Sequence, residues 1–363
     1  MAISKKTKVL YNTIFDGFEE NIANIIQKYQ EIKLLKKYSP SKPIPKEYKK
    51  AYREYWKKYG NYSAKWGWYY ASRNGIMDVR YIPHTLYYTK IDQYFNARKL
   101  GWGFNDKNYY SKIFSDIKQP ETVVRVFGKI LTDSDYNQIT VDEALALVCE
   151  CDEVICKPSR ESGSGRDIEF WNPEICADNI REFFIRHDGA YIVQKVLKQH
   201  DKLNQVHKGS INSLRICSIL LEDGVHILSS CLRMGVDKAR IDNVTAGGIS
   251  VGINEDGIMD EFAYNYYTGE RMSVHPQGFV FKNQNVPSYD KAVELVKRAH
   301  PIIGNFRLVS WDIAIDDKGE PVLIEANMRK GGINLNQFSN GPLFGELTEK
   351  ILDEVFNKGK GEK

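Results

Sequence analysis

Apolar residues recur at helical spacing near the start of the chain: Leu10, Ile14, Phe18, Ile22, Ile25 and Ile26, with polar residues between them. That period predicts an amphipathic helix over residues 7–37. Ser39-Pro40 and two further prolines, up to Pro45, break it. Residues 46–60 predict a second helix, basic and rich in Tyr and Trp. Up to about residue 118 the pattern mixes helix and loop. Beyond Pro120 it changes character. Short β-branched runs occupy 122–126, 154–156, 191–196, 214–221, 225–230, 308–315 and 322–326. Turn signals bound them: Asp188-Gly189, Asp223-Gly224, Asp256-Gly257 and Lys318-Gly319. Helical periodicity fills 140–150, 174–187, 289–302 and 343–357. Hairpins interspersed with helices predict an α+β fold rather than a doubly wound parallel sheet.

Composition narrows the class. The chain has 363 residues, 42% apolar and 27% charged, which excludes a disordered or collagen-like polymer. No run of eighteen uncharged apolar residues occurs, so no membrane-spanning helix is expected. The first residues, MAISKKTKVLYN, lack the apolar core of a secretory signal, and a cytoplasmic location is expected. The cysteines at 149, 151, 156, 176, 217 and 231 lack the paired spacing of a zinc site and read as reduced thiols.

The net charge of +4 conceals a division. Residues 1–120 carry 23 Lys+Arg against 10 Asp+Glu, and the remainder 28 against 37. The first 120 residues also hold 16 of the 22 Tyr and 4 of the 6 Trp. Such asymmetry suggests an anionic partner for the basic part. Residues 36–58, with nine Lys+Arg and two Asp+Glu, interleave Tyr38, Tyr48, Tyr52, Tyr55 and Trp56. Three readings stay open there: a solvated face over an aromatic core, a site for an anionic glycan or glycolipid, or a nucleic-acid surface. Peripheral contact with an anionic membrane is compatible with the second.

Common nucleotide motifs fail. There is no P-loop, Gly163-x-Gly165 lacks the third glycine of a dinucleotide fingerprint, and no D-F-G follows Arg186-His187-Asp188. Three other features carry chemistry. Residues 309–315 and 320–327 form two apolar strands around a turn. If Ile315 pairs with Glu320, Asp312 lies opposite Leu323, and alternation sends Asp312, Glu325 and Asn327 to one face. Three oxygen-bearing ends there suit a hard cation such as Mg²⁺. Next, Lys157 ends an apolar strand and the Gly/Ser loop Ser162, Gly163, Ser164, Gly165 follows, a pattern that can cradle phosphate. Finally, Arg215 and Arg233 interrupt apolar strands, where an arginine forms an ion pair or clamps a phosphoryl group. Asn243, Gly247 and Gly248 add a place where backbone can approach a ligand.

In this order the motifs resemble the ATP-grasp superfamily, and more narrowly its sugar-transfer-associated group. The matching stretches are 154–159 with its Gly/Ser loop, 191–200, 210–216, 232–235 through Gly247-Gly248, 311–314, 323–327, and Asn336-Gln337 with 341–345. The resemblance spans about residues 100–356. It implies an ATP-grasp domain over 119–363, with subdomains at about 119–198 and 199–363 clasping ATP, after an N-terminal helical region over 1–118. It implies that Lys157 contacts the phosphates and that 162–165 folds over them. Gln194, Lys195, Val196 and Leu197 would form the hinge reading adenine, and Asp201 would bind ribose. Asp312, Glu325 and Asn327 would hold Mg²⁺, and Arg215 and Arg233 would stabilise the transferring group. Lys129 is the candidate for the earlier lysine of the pattern.

The resemblance implies an ADP-forming carboxylate–amine ligase acting through an acyl phosphate in polysaccharide modification. Its expected partners are a small-molecule or glycan carboxylate and an amine, with no nucleic acid. The alternatives are a phosphotransferase on a sugar or other small acceptor, and a non-catalytic nucleotide-binding module.

Overall fold

Helix α1 (Lys46–Trp56) places Tyr48, Tyr52 and Trp56 four residues apart, and all three are buried. Lys46, Lys49, Lys50 and Arg53 take the opposite, exposed face. This computed structural model describes residues 29, 33, 35–37, 42–160, 167–242, 244, 247–266, 269–329 and 331–357. The helix expected over 7–37 therefore lies outside the described residues except at residues 29, 33 and 35–37, which are helical. The described residues divide into two compact units: one up to Tyr94 together with the chain from Gly341 on, the other Phe95–Asn340.

In the first unit, the polar tips of the α1 aromatics are bound to backbone. Tyr48 donates to Asp78 O at 2.7 Å, Tyr52 to Tyr81 O at 3.0 Å, and Trp56 Nε1 to Val79 O at 2.8 Å. Buried aromatics need such partners. Helix α2 (Lys65–Asn74) approaches closely at Gly67, where a Cβ would lie 2.4 Å from Tyr48 Oη and the Tyr52 ring. Of the readings of the basic aromatic segment, the core role of Tyr48, Tyr52 and Trp56 is what the structure shows, so these rings are closed to stacking on bases.

The second unit contains two antiparallel sheets. The smaller comprises β1 (Thr122–Phe127), β2 (Ile130–Thr132), β3 (Gln138–Ile139), β4 (Val154–Pro158), β5 (Glu169–Trp171) and β6 (Ala190–Lys195), in the order β3-β2-β1-β6-β4-β5. Helices α3 (Val141–Cys149) and α4 (Pro173–Arg186) supply Ala144, Val148, Ile180 and Phe184 to its core. A capping box starts α3: Thr140 Oγ1 accepts from Glu143 N, and Glu143 accepts from Thr140 N.

The larger sheet comprises β7 (Ser213–Leu221), β8 (Gly224–Met234), β9 (Ile249–Ile253), β10 (Met259–Asn265), β11 (Arg271–Met272), β12 (Leu308–Ile315) and β13 (Pro321–Asn327). Its order is β11-β10-β9-β8-β7-β12-β13. Helix α5 (Tyr289–Ala299) packs Ala292, Leu295, Val296 and Ala299 into a core with Leu214, Ile216, Leu232, Trp311 and Ile313. The α+β expectation holds. The strand pattern left out β2, β3, β5 and β9–β11: β2, β3, β5 and β11 are two or three residues long, and β10 carries adjacent acids, Asp260 and Glu261. Helix α6 (Asn334–Asn340) was also not anticipated, because Asn334, Asn336, Gln337 and Ser339 are polar yet buried. Helix α7 (Thr348–Asn357) belongs to the first unit, where Glu349 accepts from Tyr55 at 2.7 Å. Among the described residues no helix is long and apolar enough to cross a membrane.

The β12–β13 register corrects one expectation. Ile315 pairs with Pro321, not Glu320. Continued without interruption, that register would turn Asp312 and Glu325 to opposite faces. A bulge between Asp312 and Ile313 prevents this: Ile313 pairs with Leu323 and Asp312 with Glu325, leaving Ile324 as the extra residue.

Candidate active site

A cavity of about 890 Å³ opens within the second unit. The smaller sheet contributes Ile155, Lys157, Phe170 and Gln194 to its lining, and the larger sheet Arg215, Arg233, Asp312, Glu325 and Asn327. The chain from Lys195 to Gln199 and Asp201 complete one end.

Two lysines enter this space. Lys157 is 7% exposed, and among the described residues no acceptor pairs with its Nζ. Burial lowers its pKa to about 8, Lys107 pushes the same way, and Glu325 opposes them. A buried ammonium ion without a counter-charge is costly, so an anion that fills the cavity lowers its free energy. Lys107 comes from the segment before β1. Its Nζ lies 2.6 Å from Glu325 Oε1, and its backbone N–H donates to Ser159 O at 2.8 Å, beside the end of β4. Asp106 caps the turn that carries it, accepting from Asn108 N at 3.0 Å.

The arginines hold one carboxylate. Arg215 Nε and Nη2 donate to the two Asp312 oxygens at 2.5 and 3.1 Å, a bidentate pair between neighbouring strands. Arg233 Nη2 lies 3.3 Å from Asp312 Oδ2 and 3.2 Å from Asp242 Oδ2. Burial alone would raise the Asp312 pKa, but Arg215 and then Arg233 outweigh it and hold the carboxyl below the usual carboxylate range. Burial would conversely lower the Arg233 pKa, but Asp242 and Asp312 raise it. Arg233 is therefore charged across the working pH range. Asn327 donates through Nδ2 to Ser310 O at 3.1 Å and to Asp312 Oδ2 at 3.4 Å. Asp312, Glu325 and Asn327 line one wall of the cavity together. Among the described residues no group of three or more His, Cys, Asp or Glu side chains could hold a metal ion. A cation here would take its remaining ligands from phosphate and water, as Mg²⁺ commonly does.

The hinge offers complementary groups to a planar base. Gln194 Nε2 donates to Pro120 O at 3.3 Å, leaving Oε1 buried with no partner among the described residues. Among the described residues nothing accepts from the Leu197 N–H. An exocyclic amine and a ring nitrogen would satisfy this acceptor and this donor. These residues fit a purine nucleotide, the lysines fit its phosphates, and the carboxylate pair fits a hard cation.

Of the residues expected from sequence, Lys157, Gln194, Lys195, Val196, Leu197, Asp201, Arg215, Arg233, Asp312, Glu325 and Asn327 line this one cavity. Lys129 is exposed in the β1–β2 turn and is not part of the lining. Gly247 is likewise outside the described lining, with φ +106° and open space around a hypothetical Cβ, and so is Gly248. Ser162, Gly163, Ser164, Gly165 and Asn243 lie outside the described residues. Sequence reasoning did not single out Lys107 or Asp242. The available signal for Lys107 was Asp106 before it, a capping residue that fixes the turn. Asp242 follows no pattern in the sequence.

The family model for sugar-transfer associated ATP-grasp proteins matches residues 87–352. This chain is an ATP-grasp protein of the sugar-transfer associated family. ATP-grasp enzymes use ATP and Mg²⁺. No curated protein matches the sequence. Solved structures similar to this chain include the VanG D-Ala:D-Ser ligase from Enterococcus faecalis, with 13% identity and a TM-score of 0.42 over 70% of this chain and 61% of that one. Biotin carboxylase from Campylobacter jejuni shows 12% identity and a TM-score of 0.43, over 69% and 45%. An L-amino acid ligase from Bacillus licheniformis shows 13% and 0.40, over 69% and 48%. This ATP-grasp chain thus spans less than two thirds of the length of each.

Proposed function

We propose that this ATP-grasp protein joins a carboxylate to an amine, forming ADP and phosphate, and that its substrates are sugar acids or amino acids and amines that modify a glycan. The observation that carries the reading is the convergence of Lys107, Lys157, Arg215 and Arg233 on the Asp312–Glu325 pair in one cavity. A carboxylate is a poor electrophile; ATP supplies the phosphoryl group that makes it an acyl phosphate, which the amine attacks as phosphate departs. Lys157 and Lys107 bind and orient the phosphate oxygens. Arg233 and Arg215 face the oxygen atoms on which charge develops, already aligned by Asp312 and Asp242, so little reorganisation accompanies transfer. Glu325, Asp312 and Asn327 hold Mg²⁺. Gln194 Oε1 and the Leu197 N–H orient adenine, and Asp201 accepts from ribose hydroxyls.

The proposed setting is the cytoplasm, where the six free cysteines remain reduced. The exposed basic face of α1 is proposed to meet an anionic glycan or a lipid-linked one. The test is a screen of ADP and phosphate release with Mg²⁺ and ATP over a matrix of sugar acids, amino acids and amines. Release of both products only when acid and amine are present supports the ligase. ADP without phosphate identifies a phosphotransferase, and no turnover with any pair leaves a binding module.

A further inference from the structure

The segment after β8, from Gly235 to Asp242, crosses from one wall of the cavity to the other. Its base is fixed by side chains outside the site. His275 Nε2 pairs with Gly235 O at 2.9 Å, and Gln277 Nε2 donates to Asp237 O at 3.2 Å. Its far end makes two contacts of different kinds. Asp242 accepts from Arg233 Nη2 and from Ser213 Oγ, both belonging to the larger sheet. Arg240, two residues earlier, reaches the smaller sheet. Its Nη2 lies 2.9 Å from both carboxylate oxygens of Glu153, and its guanidinium carbon lies 3.7 Å from the Phe170 ring centroid. Arg240, Glu153 and Phe170 all line the cavity. The main chain of Glu153 is part of the hinge, because its carbonyl accepts from Val196 N at 3.3 Å.

We propose that Arg240 is a positioning residue that clasps the two walls of the nucleotide cavity and slows nucleotide release. Through Glu153 it fixes the peptide that receives the Val196 N–H, and through the 240–242 turn it connects that end with Asp242 and Arg233. A planar, permanently charged guanidinium suits both contacts, since it can bridge a carboxylate while its face lies on an aromatic ring. The pair is partly exposed, so the clasp is weak enough to open in each cycle. This rests on the reading of the cavity as the nucleotide site.

The experiment measures release of N-methylanthraniloyl-ADP from the full chain with Mg²⁺ by stopped flow. The proteins are wild type, Arg240→Ala, Glu153→Ala, the double variant and Arg240→Lys. The expectation is release about five- to tenfold faster for Arg240→Ala, which loses one weak ion pair and one stacking contact, and a smaller acceleration for Glu153→Ala, which loses the ion pair alone. The double variant should be no faster than Arg240→Ala, and Arg240→Lys, which keeps the charge but not the planar stack, should be intermediate. Turnover at saturating ATP should fall less than ATP affinity. Release from Arg240→Ala within twofold of wild type, or fully additive single variants, overturns the clasp while leaving the nucleotide site intact. Failure of the wild type to bind the probe overturns both.

Discussion

Glu325 has two neighbours of opposite consequence: the Lys107 ammonium at 2.6 Å, and Asp312 directly across the strand pair. Replacing it with Ala removes the proposed metal ligand and the carboxylate that pairs with Lys107, without altering the strand core. Glu325→Ala should therefore abolish ADP formation while the thermal unfolding transition persists; near-normal turnover would exclude the metal assignment. Lys157 yields a pH signature. Its burial-lowered pKa of about 8 means that the ammonium ion is lost as pH rises through that value in the free protein. The kcat/KM for ATP should accordingly fall above about pH 8, and Lys157→Arg should remove the fall because a guanidinium stays charged. The effect on folding has the opposite sign. Between about pH 8 and the ordinary lysine value the unfolded chain binds the extra proton, so the stability linked to Lys157 increases with pH there.

The bulge in the β12–β13 hairpin shows which information strands conceal. Asp312, Glu325 and Asn327 are legible as an oxygen set because alternation along β13 is fixed by covalent geometry. The register across β12 is not, since turn geometry decides it, and here pairing of Ile315 with Pro321 is reconciled with the site only by the extra Ile324. Lys107 was illegible for a related reason. It lies on a short turn rather than on a periodic element, and its position depends on a distant contact with Ser159. Lys129 had the better local sequence, after Phe127-Gly128, but that hairpin turn faces solvent. At α3, where the sequence showed only helical periodicity over 140–150, Thr140 and Glu143 form a capping box on an exposed helix end. Thr140→Ala should cost about 1 kcal/mol in urea unfolding and leave ATP affinity unchanged, because neither residue lines the cavity.

For the whole molecule, the charge division separates into different roles. The basic residues of α1 are exposed over a core of Tyr and Trp in one unit, whereas the cavity in the other relies on four buried or half-buried cations amid an acidic background. Bulk charge therefore says little about anion binding; local desolvated groups govern it. Mg²⁺ and ATP should stabilise the protein by mass action, about 2.7 kcal/mol at a hundredfold excess over Kd. Hydrogen exchange should show the added protection within 95–340. Protection confined to residues before 95 would refute the cavity as the nucleotide site.

Finally, the Gln194 amide is tethered at its nitrogen by Pro120 O, and its buried oxygen, without a partner among the described residues, is the one proposed to meet the base. An adenine presents a donor to that oxygen, whereas guanine would present its own carbonyl, lone pair against lone pair. Such a mismatch leaves a desolvated acceptor on each side and should disfavour GTP by at least about tenfold. Competition binding of GTP against ATP measures this, with loss of discrimination expected in Gln194→Met. On the proposed reading, the tether to a proline carbonyl would tie the protein's energy supply to the adenylate pool, independent of the cell's guanylate level.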